Sequence, residues 1–189
     1  VDKAREEAVR SLATLATFAQ RGVPIVGLEP SCVFSFRDEI PAMVAGSEAK
    51  AVSGQMMLIE EFLARDKPVA DALKAKLKPL MREVHLHGHC HQKAFGAMGS
   101  VESALKLVPG MKLDVIQSSC CGMAGAFGYQ EETAEVSRAM AEIALLPAVR
   151  KAKPDAIIVA DGTSCRHQIA DGAGRDAVHV VEVLAEALR

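Results

Sequence analysis

The chain has 189 residues, with 22 Lys+Arg against 24 Asp+Glu and a formal net charge of −2. Half of it is hydrophobic, but only 4% is aromatic, with no Trp and one Tyr. This length suits one domain or two small ones with a real core, the charge argues against a strongly basic nucleic-acid binder, the few aromatics leave little for base stacking, and no apolar run approaches the roughly 18 residues of a membrane span. Residues 1–7 carry no apolar stretch of the signal-peptide kind. A start at Val1 rather than Met points to a processed chain or a piece of a longer one. The five cysteines are an odd number, and Cys120 and Cys121 are adjacent. A complete disulfide set is therefore excluded, and metal or redox chemistry in a reducing compartment, the cytoplasm, is expected.

In chain order, residues 2–21 read as a helix, with Val9, Leu12, Ala16 and Ala19 on one face. Gly22 suits the left-handed position past its end, and Pro24 stops it. The apolar run 25–28 reads as a buried strand. Residues 38–45, 48–64 and 69–78 read as helices, although the stretch 46–54 is weakly patterned and suits a loop or lid. A brief strand is expected at 84–86, a helix at 93–107 and a strand at 113–117. Residues 131–146 form an amphipathic pattern with Val136, Met140 and Ile143 in register, and Pro147 interrupts it. A strand at 156–160, another at 178–180 and a helix at 182–188 complete the chain. Strands alternating with helices predict an α/β fold: a mostly parallel sheet with helices on both faces.

Every cysteine follows a predicted strand within a few residues: Cys32, Cys90, the Cys120–Cys121 pair and Cys165. In a parallel sheet the loops after the strands share the carboxyl edge, where open α/β folds bind ligands. Five sulfurs in loops on one edge have the geometry a metal centre needs. A single free cysteine is more often a small buried hydrophobe, and that reading stands beside the metal one. A strained vicinal disulfide between Cys120 and Cys121 is a further alternative. Residues 25–32 can be laid over 158–165, both ending in Ser-Cys, as a partial internal repeat.

His85, His87, His89 and His91 alternate around Cys90. Strand periodicity places all four on one face. His85 and His87 read best as half-buried strand residues with satisfied ring nitrogens. His89, His91 and Lys93 are the candidates for the site, and His179 reads as structural. The Gly-rich stretch 122–128 is neither a P-loop nor a dinucleotide fingerprint. It suits close backbone approach to a bulky cofactor, or a plain turn. Arg166 and His167 follow Cys165 at a predicted helix start, where their donors favour a thiolate or a bound anion.

Three blocks carry a resemblance: His87-Gly88-His89-Cys90-His91-Gln92-Lys93, Cys120-Cys121-Gly122-Met123-Ala124-Gly125 and Asp161-Gly162-Thr163-Ser164-Cys165-Arg166-His167-Gln168, with Glu29-Pro30-Ser31-Cys32 as a partial fourth. They resemble the cysteine-rich CCG domain of heterodisulfide reductase B subunits and glycolate oxidase iron–sulfur subunits. The similarity is greatest to the C-terminal part of fused FAD-linked oxidase/iron–sulfur proteins. The family pattern is Cys, a long spacer, Cys-Cys-Gly, a second long spacer, then Cys-x-x-Cys. This sequence departs from it at Gly162, which stands where the first cysteine of the last pair belongs.

The resemblance implies residues 1–64 as the end of a first CCG-type unit with connecting helices, and 65–189 as a complete second unit. It implies an iron–sulfur cluster, an ordinary [4Fe–4S] centre, held by Cys90, Cys120, Cys121 and Cys165, with Cys32 as a further ligand or part of a second site. His89, His91, Lys93, Gly122, Arg166 and His167 would tune it or bind an acceptor. The implied role is an electron-transfer module of a FAD-linked 2-hydroxy acid dehydrogenase or oxidase, a fragment of an oxidoreductase rather than a complete enzyme. FAD would lie in another part of the full-length protein. Its partners would be flavin and ferredoxin-like domains, with a quinone as acceptor, at most a peripheral position on the inner membrane, and no nucleic acid. The alternative is a zinc-binding docking domain with no redox role of its own. A third reading, thiol redox chemistry at the Cys120–Cys121 pair, ranks last.

Overall fold

A computed structural model describes residues 1–188, and the chain divides into two compact units, Val1–Phe62 and Leu63–Arg189. The first unit opens with α1 (Asp2–Ala19), which buries Ala8, Leu12, Ala16 and Ala19. Val9 is 49% exposed, so Ala8 takes the inward place expected of it. Gly22 is left-handed as expected, with φ +75°.

Strand β1 (Ile25–Gly27) is half-exposed rather than buried. It leads directly into α2 (Pro30–Arg37), where a loop was expected. Pro30 stands at the first helical position, where its missing N–H is not needed. Helices α3 (Glu39–Met43) and α4 (Ser47–Gln55) follow, so the stretch read as a loop or lid is largely helical. The long helix expected over 48–64 is broken by β2 (Met56–Leu58), a fully buried strand, before α5 (Ile59–Arg65). β1 and β2 pair in parallel, Ile25 opposite Met56 and Gly27 opposite Leu58. Phe34, Val52 and Leu58 are fully buried, and the Arg37–Glu61 ion pair at 2.9 Å ties the helices beside them.

The second unit begins with α6 (Lys67–Lys74), capped by Asp66, whose carboxylate accepts the Val69 N–H at 3.2 Å. Then come β3 (Glu83–His87), α7 (Cys90–Ala94), α8 (Met98–Leu105), β4 (Lys112–Val115), a 3₁₀ turn (Phe127–Tyr129) and α9 (Glu131–Glu142). The unit ends with α10 (Leu145–Lys151), β5 (Ile157–Ala160), α11 (Thr163–Ala173), β6 (Ala177–Val178) and α12 (Val180–Leu188). The helix expected over 93–107 is two helices, parted where Gly96 turns left-handed at φ +70°. α9 buries Ser137 and Ala141, while Val136 and Ile143 are 53% and 77% exposed, so the predicted inward face is the outward one.

The protein is therefore α/β with parallel sheets flanked by helices, but it has two sheets rather than one. The four strands of the second unit run in the order β4-β3-β5-β6, all parallel. The chain crosses from β3 out to β4, then returns to place β5 on the other side of β3. The order of strands thus reverses between β3 and β5, which puts a switch point at the carboxyl edge between them. Such a switch point is where open α/β sheets bind ligands.

Candidate metal centre

Three connections meet at that edge. β3 ends at His87, opposite Ala160 at the end of β5. After β3 the chain turns through Gly88, and His89 caps α7. Its side chain accepts the His91 N–H at 3.2 Å, while the His89 N–H donates to Gln92 Oε1 at 2.9 Å. Cys90 is the first residue of α7 and Cys165 the third of α11, and Cys32 is likewise the third of α2. Only Cys120 and Cys121 lie in a loop. Helix starts suit thiolates, because unpaired N–H groups and the helix dipole favour negative charge there.

The loop after β4 is held from both sides. Lys93 Nζ donates to the Ser118 and Ser119 carbonyls at 2.5 and 2.7 Å. Gln168 Nε2 donates to the Cys121 carbonyl at 2.9 Å and to the Ser137 carbonyl and hydroxyl, both at 3.1 Å. Within the loop, Gly122, Ala124 and Gly125 are left-handed, with φ of +90°, +40° and +66°. The Gly122 N–H points back to Cys120 Sγ at 3.2 Å. Successive N–H groups in such turns form a concavity for anions, as they do in many iron–sulfur sites.

The sulfurs converge. Cys165 Sγ donates to Cys121 Sγ at 3.2 Å. Both cysteines are buried, at 0% and 2% exposed, and both belong to the apolar core with Ile116, Val149 and Ile169. That placement alone would satisfy the bland reading of a buried hydrophobe. The charge state argues otherwise. The Cys165 thiol, then His87 and the Met123 N–H, hold the Cys121 thiol far below its usual range. Its proton stays on Cys165, which is driven up by that same contact and by burial. Burial, with the sulfurs of Cys120 and Cys121 nearby, pushes the Cys90 thiol up to about 11. Cys90 and Cys165 thus hold protons that a bound cation would displace.

His87 completes the cluster, contrary to its reading as a satisfied strand residue. It is fully buried, and one ring nitrogen lies within 4.8 Å of the sulfurs of both Cys121 and Cys165, which are likewise within 4.8 Å of each other. Nδ1 is 2.8 Å from Ser118 Oγ, but Nε2 is buried without a hydrogen bond among the described residues. His85 departs from that reading too: its Nδ1 lies 3.1 Å from Asp114, but its Nε2 is likewise buried without a hydrogen bond among the described residues. β3 ends before His89 and His91, so the four histidines do not share one strand face.

The remaining candidates divide. His89 is 8% exposed and packs against Gly162: a Cβ at 162 would stand 2.5 Å from His89 Cδ2 and 3.2 Å from Cys165 Sγ. The absence of a cysteine at 162 is thus matched by a histidine ring in the space it would need. Arg166 is spent on the backbone, donating to the Ala160 and Asp161 carbonyls at 3.0 and 2.5 Å. His167 is exposed, its Nδ1 2.5 Å from the Tyr129 hydroxyl. Cys32 lies in the first unit, exposed, beside Glu29. One supporting role escaped the sequence reading. Buried Asp161 accepts from Gln92 Nε2 at 2.7 Å and from the Val180 N–H at 3.0 Å, so one carboxylate ties α7 and α12 to the end of β5. His179, read as structural, joins it at 3.5 Å.

A parallel α/β unit thus brings three thiol-bearing connections together at its switch point, with a donor group that could hold a metal ion. The comparisons with known proteins extend this: residues 84–170 match the CCG family, described as a cysteine-rich domain. The chain is 29% identical over 188 residues to the C subunit of anaerobic glycerol-3-phosphate dehydrogenase from Escherichia coli (strain K12), covering 99% of this chain and 46% of the relative. It is 28% identical over 181 residues to D-2-hydroxyglutarate dehydrogenase of Haemophilus influenzae, covering 93% of this chain and 17% of the relative. A 28% match over 179 residues to the enzyme of that name from Escherichia coli (strain K12) covers 16% of it. The chain thus spans about half the length of the first relative and a small part of the others. No solved structure matches significantly. No helix among the described residues is long and apolar enough to cross a membrane.

Proposed function

We propose that this chain is the metal-bearing electron-transfer module of a dehydrogenase, holding an iron–sulfur centre through Cys90, Cys120, Cys121 and Cys165. The observation that carries it is the buried cluster in which donor atoms of His87, Cys121 and Cys165 lie within 4.8 Å of one another. Its residues fit such a group: soft thiols, an orphaned imidazole nitrogen and a left-handed loop whose N–H groups face sulfur. A bound cluster supplies one-electron transfer. The chain's own part is to fix the ligands, exclude water and neutralise thiolate charge. Lys93 and the Gly122 N–H do the last of these. The exposed Tyr129–His167 pair is the proposed contact for an acceptor.

The relatives' names point to small anionic secondary alcohols as substrates of the whole protein. A 2-hydroxy acid oxidised at FAD in another domain fits that class, with electrons passing through ferredoxin-like centres to this one and on to an acceptor such as a quinone. The third-position cysteines of α2 and α11, each after a parallel strand, support the first unit as the end of an earlier CCG-type unit.

Anaerobic reconstitution with iron and sulfide tests the proposal. The expected result is a visible sulfide-to-iron charge-transfer band that the Cys121→Ser/Cys165→Ser double variant lacks. An unchanged band in that variant, or none in the wild type, would overturn it. A zinc-binding docking domain is favoured by one observation. Ligands of one tetrahedral zinc ion, bonded at about 2.0–2.3 Å, stand roughly 3.5–3.8 Å apart, close to the spacing of this cluster. Zinc without acid-labile sulfide in anaerobically purified protein would select that reading.

A further inference from the structure

His87 sits at the carboxyl end of the central strand β3, fully buried, with the two most buried sulfurs of the chain beside it. Burying an imidazole nitrogen with no partner costs roughly 1–3 kcal/mol. Nε2 makes no hydrogen bond of ordinary geometry among the described residues, and what His87 stabilises is the charge on the neighbouring Cys121 sulfur. The other nitrogen is committed, 2.8 Å from Ser118 Oγ. Histidines that bind metals commonly donate from the second nitrogen to such a group, which fixes the tautomer and aims the lone pair. With the proton on Nδ1, the Nε2 lone pair has no partner except whatever the sulfurs hold. Beside Cys165, Gly162 offers no side chain, and a Cβ there would meet the His89 ring at 2.5 Å. His89 itself is occupied as a cap, accepting the His91 N–H.

We infer that His87 is a direct ligand of the metal centre, sharing it with Cys121 and Cys165, so that the donor set is mixed nitrogen and sulfur. The inference rests on the reading that the thiol cluster holds a metal. The ligand class is a borderline divalent transition ion, Zn²⁺, Fe²⁺ or Co²⁺, or an iron of a cluster, since imidazole and thiolate together suit those metals. Where imidazole replaces thiolate on an iron–sulfur centre, the reduction potential rises. The site would then favour accepting electrons more than an all-cysteine centre does.

The test uses the full metal-free chain titrated anaerobically with Co²⁺ alone. Visible absorption reports sulfur ligation and geometry, and pulsed EPR reports directly bound nitrogen. The wild type is expected to give thiolate-to-cobalt bands and a strong coupling to one imidazole nitrogen. His87→Ala should keep the thiolate bands, lose the nitrogen coupling and weaken Co²⁺ binding at least about ten-fold. His89→Ala should keep the coupling. If His87→Ala does not fold by circular dichroism, His87→Gln and wild-type protein labelled with ¹⁵N-histidine decide in its place. Thiolate bands without nitrogen coupling in the wild type would overturn the inference, as would coupling lost in His89→Ala and kept in the His87 variants. Those outcomes leave the metal-centre reading standing. A wild type that takes up neither Co²⁺ nor an iron–sulfur chromophore contradicts that reading, and this inference with it.

Discussion

Gly122 decides where the paired cysteines point. Its φ of +90° is open to glycine and costly for other residues, and a Cβ there would stand 2.1 Å from the Ser137 carbonyl. Gly122→Ala is expected to cost at least about 2 kcal/mol and to lower the melting temperature by several degrees. Metal content should fall with it, because the loop must move away from α9. A melt like that of the wild type would show that the loop can relax. The protonated thiols of Cys90 and Cys165 set a pH dependence. Both are raised, so both carry protons at neutral pH and must lose them to bind metal. Affinity should therefore weaken as pH falls, and metal uptake should release protons. Calorimetry in buffers of different ionisation enthalpy reads this directly, and buffer-independent heats would contradict it. At this scale the placing of Cys90, Cys120, Cys121 and Cys165 after strands was legible, and the burial of His87 beside Cys121 and Cys165 was not. In an alternating run of histidines the strand period marks His87 as one more pleat residue. Its orphaned nitrogen exists only once β3 and β5 are paired.

At the scale of elements, the site depends on helix starts tied to the sheet by buried polar side chains. Gln168, on α11, holds the Cys121 carbonyl and α9 with one amide. Gln168→Leu leaves the Cys121 carbonyl buried without that donor, and should cost about 1–3 kcal/mol in urea unfolding. A loss under 0.5 kcal/mol would mean that water replaces the amide. Asp161 plays the same part for Gln92 and the Val180 N–H. The order of strands and helices was legible, because apolar runs bounded by Gly and Pro carry it. Three elements were not. Pro30 reads as a turn residue, yet it opens α2. Met56, Met57 and Leu58 sit inside a helical pattern, and only their pairing with β1 makes them a strand. On α9 the small residues Ser137 and Ala141 face inward because the cysteine loop packs close, so hydrophobicity pointed to the wrong face.

For the whole molecule, the two units divide the chemistry. Cys90, Cys120, Cys121 and Cys165 all belong to the second unit, whose parallel sheet and core are its own, while Cys32 belongs to the first. Cys32→Ser is therefore expected to leave metal content unchanged, and an equal loss to that of Cys121→Ser would assign it to the same centre. One continuous sheet was the natural reading of alternating strands, since nothing in a sequence marks where pairing stops and a second sheet starts. The central claim is that the buried cluster of the second unit holds a metal centre with inorganic sulfide. Metal and acid-labile sulfide analysis of the full chain, purified without air, tests it most directly. The expected result is iron with sulfide in the wild type and neither in the Cys121→Ser/Cys165→Ser variant; a wild type without metal, or a variant that retains it, would contradict the claim.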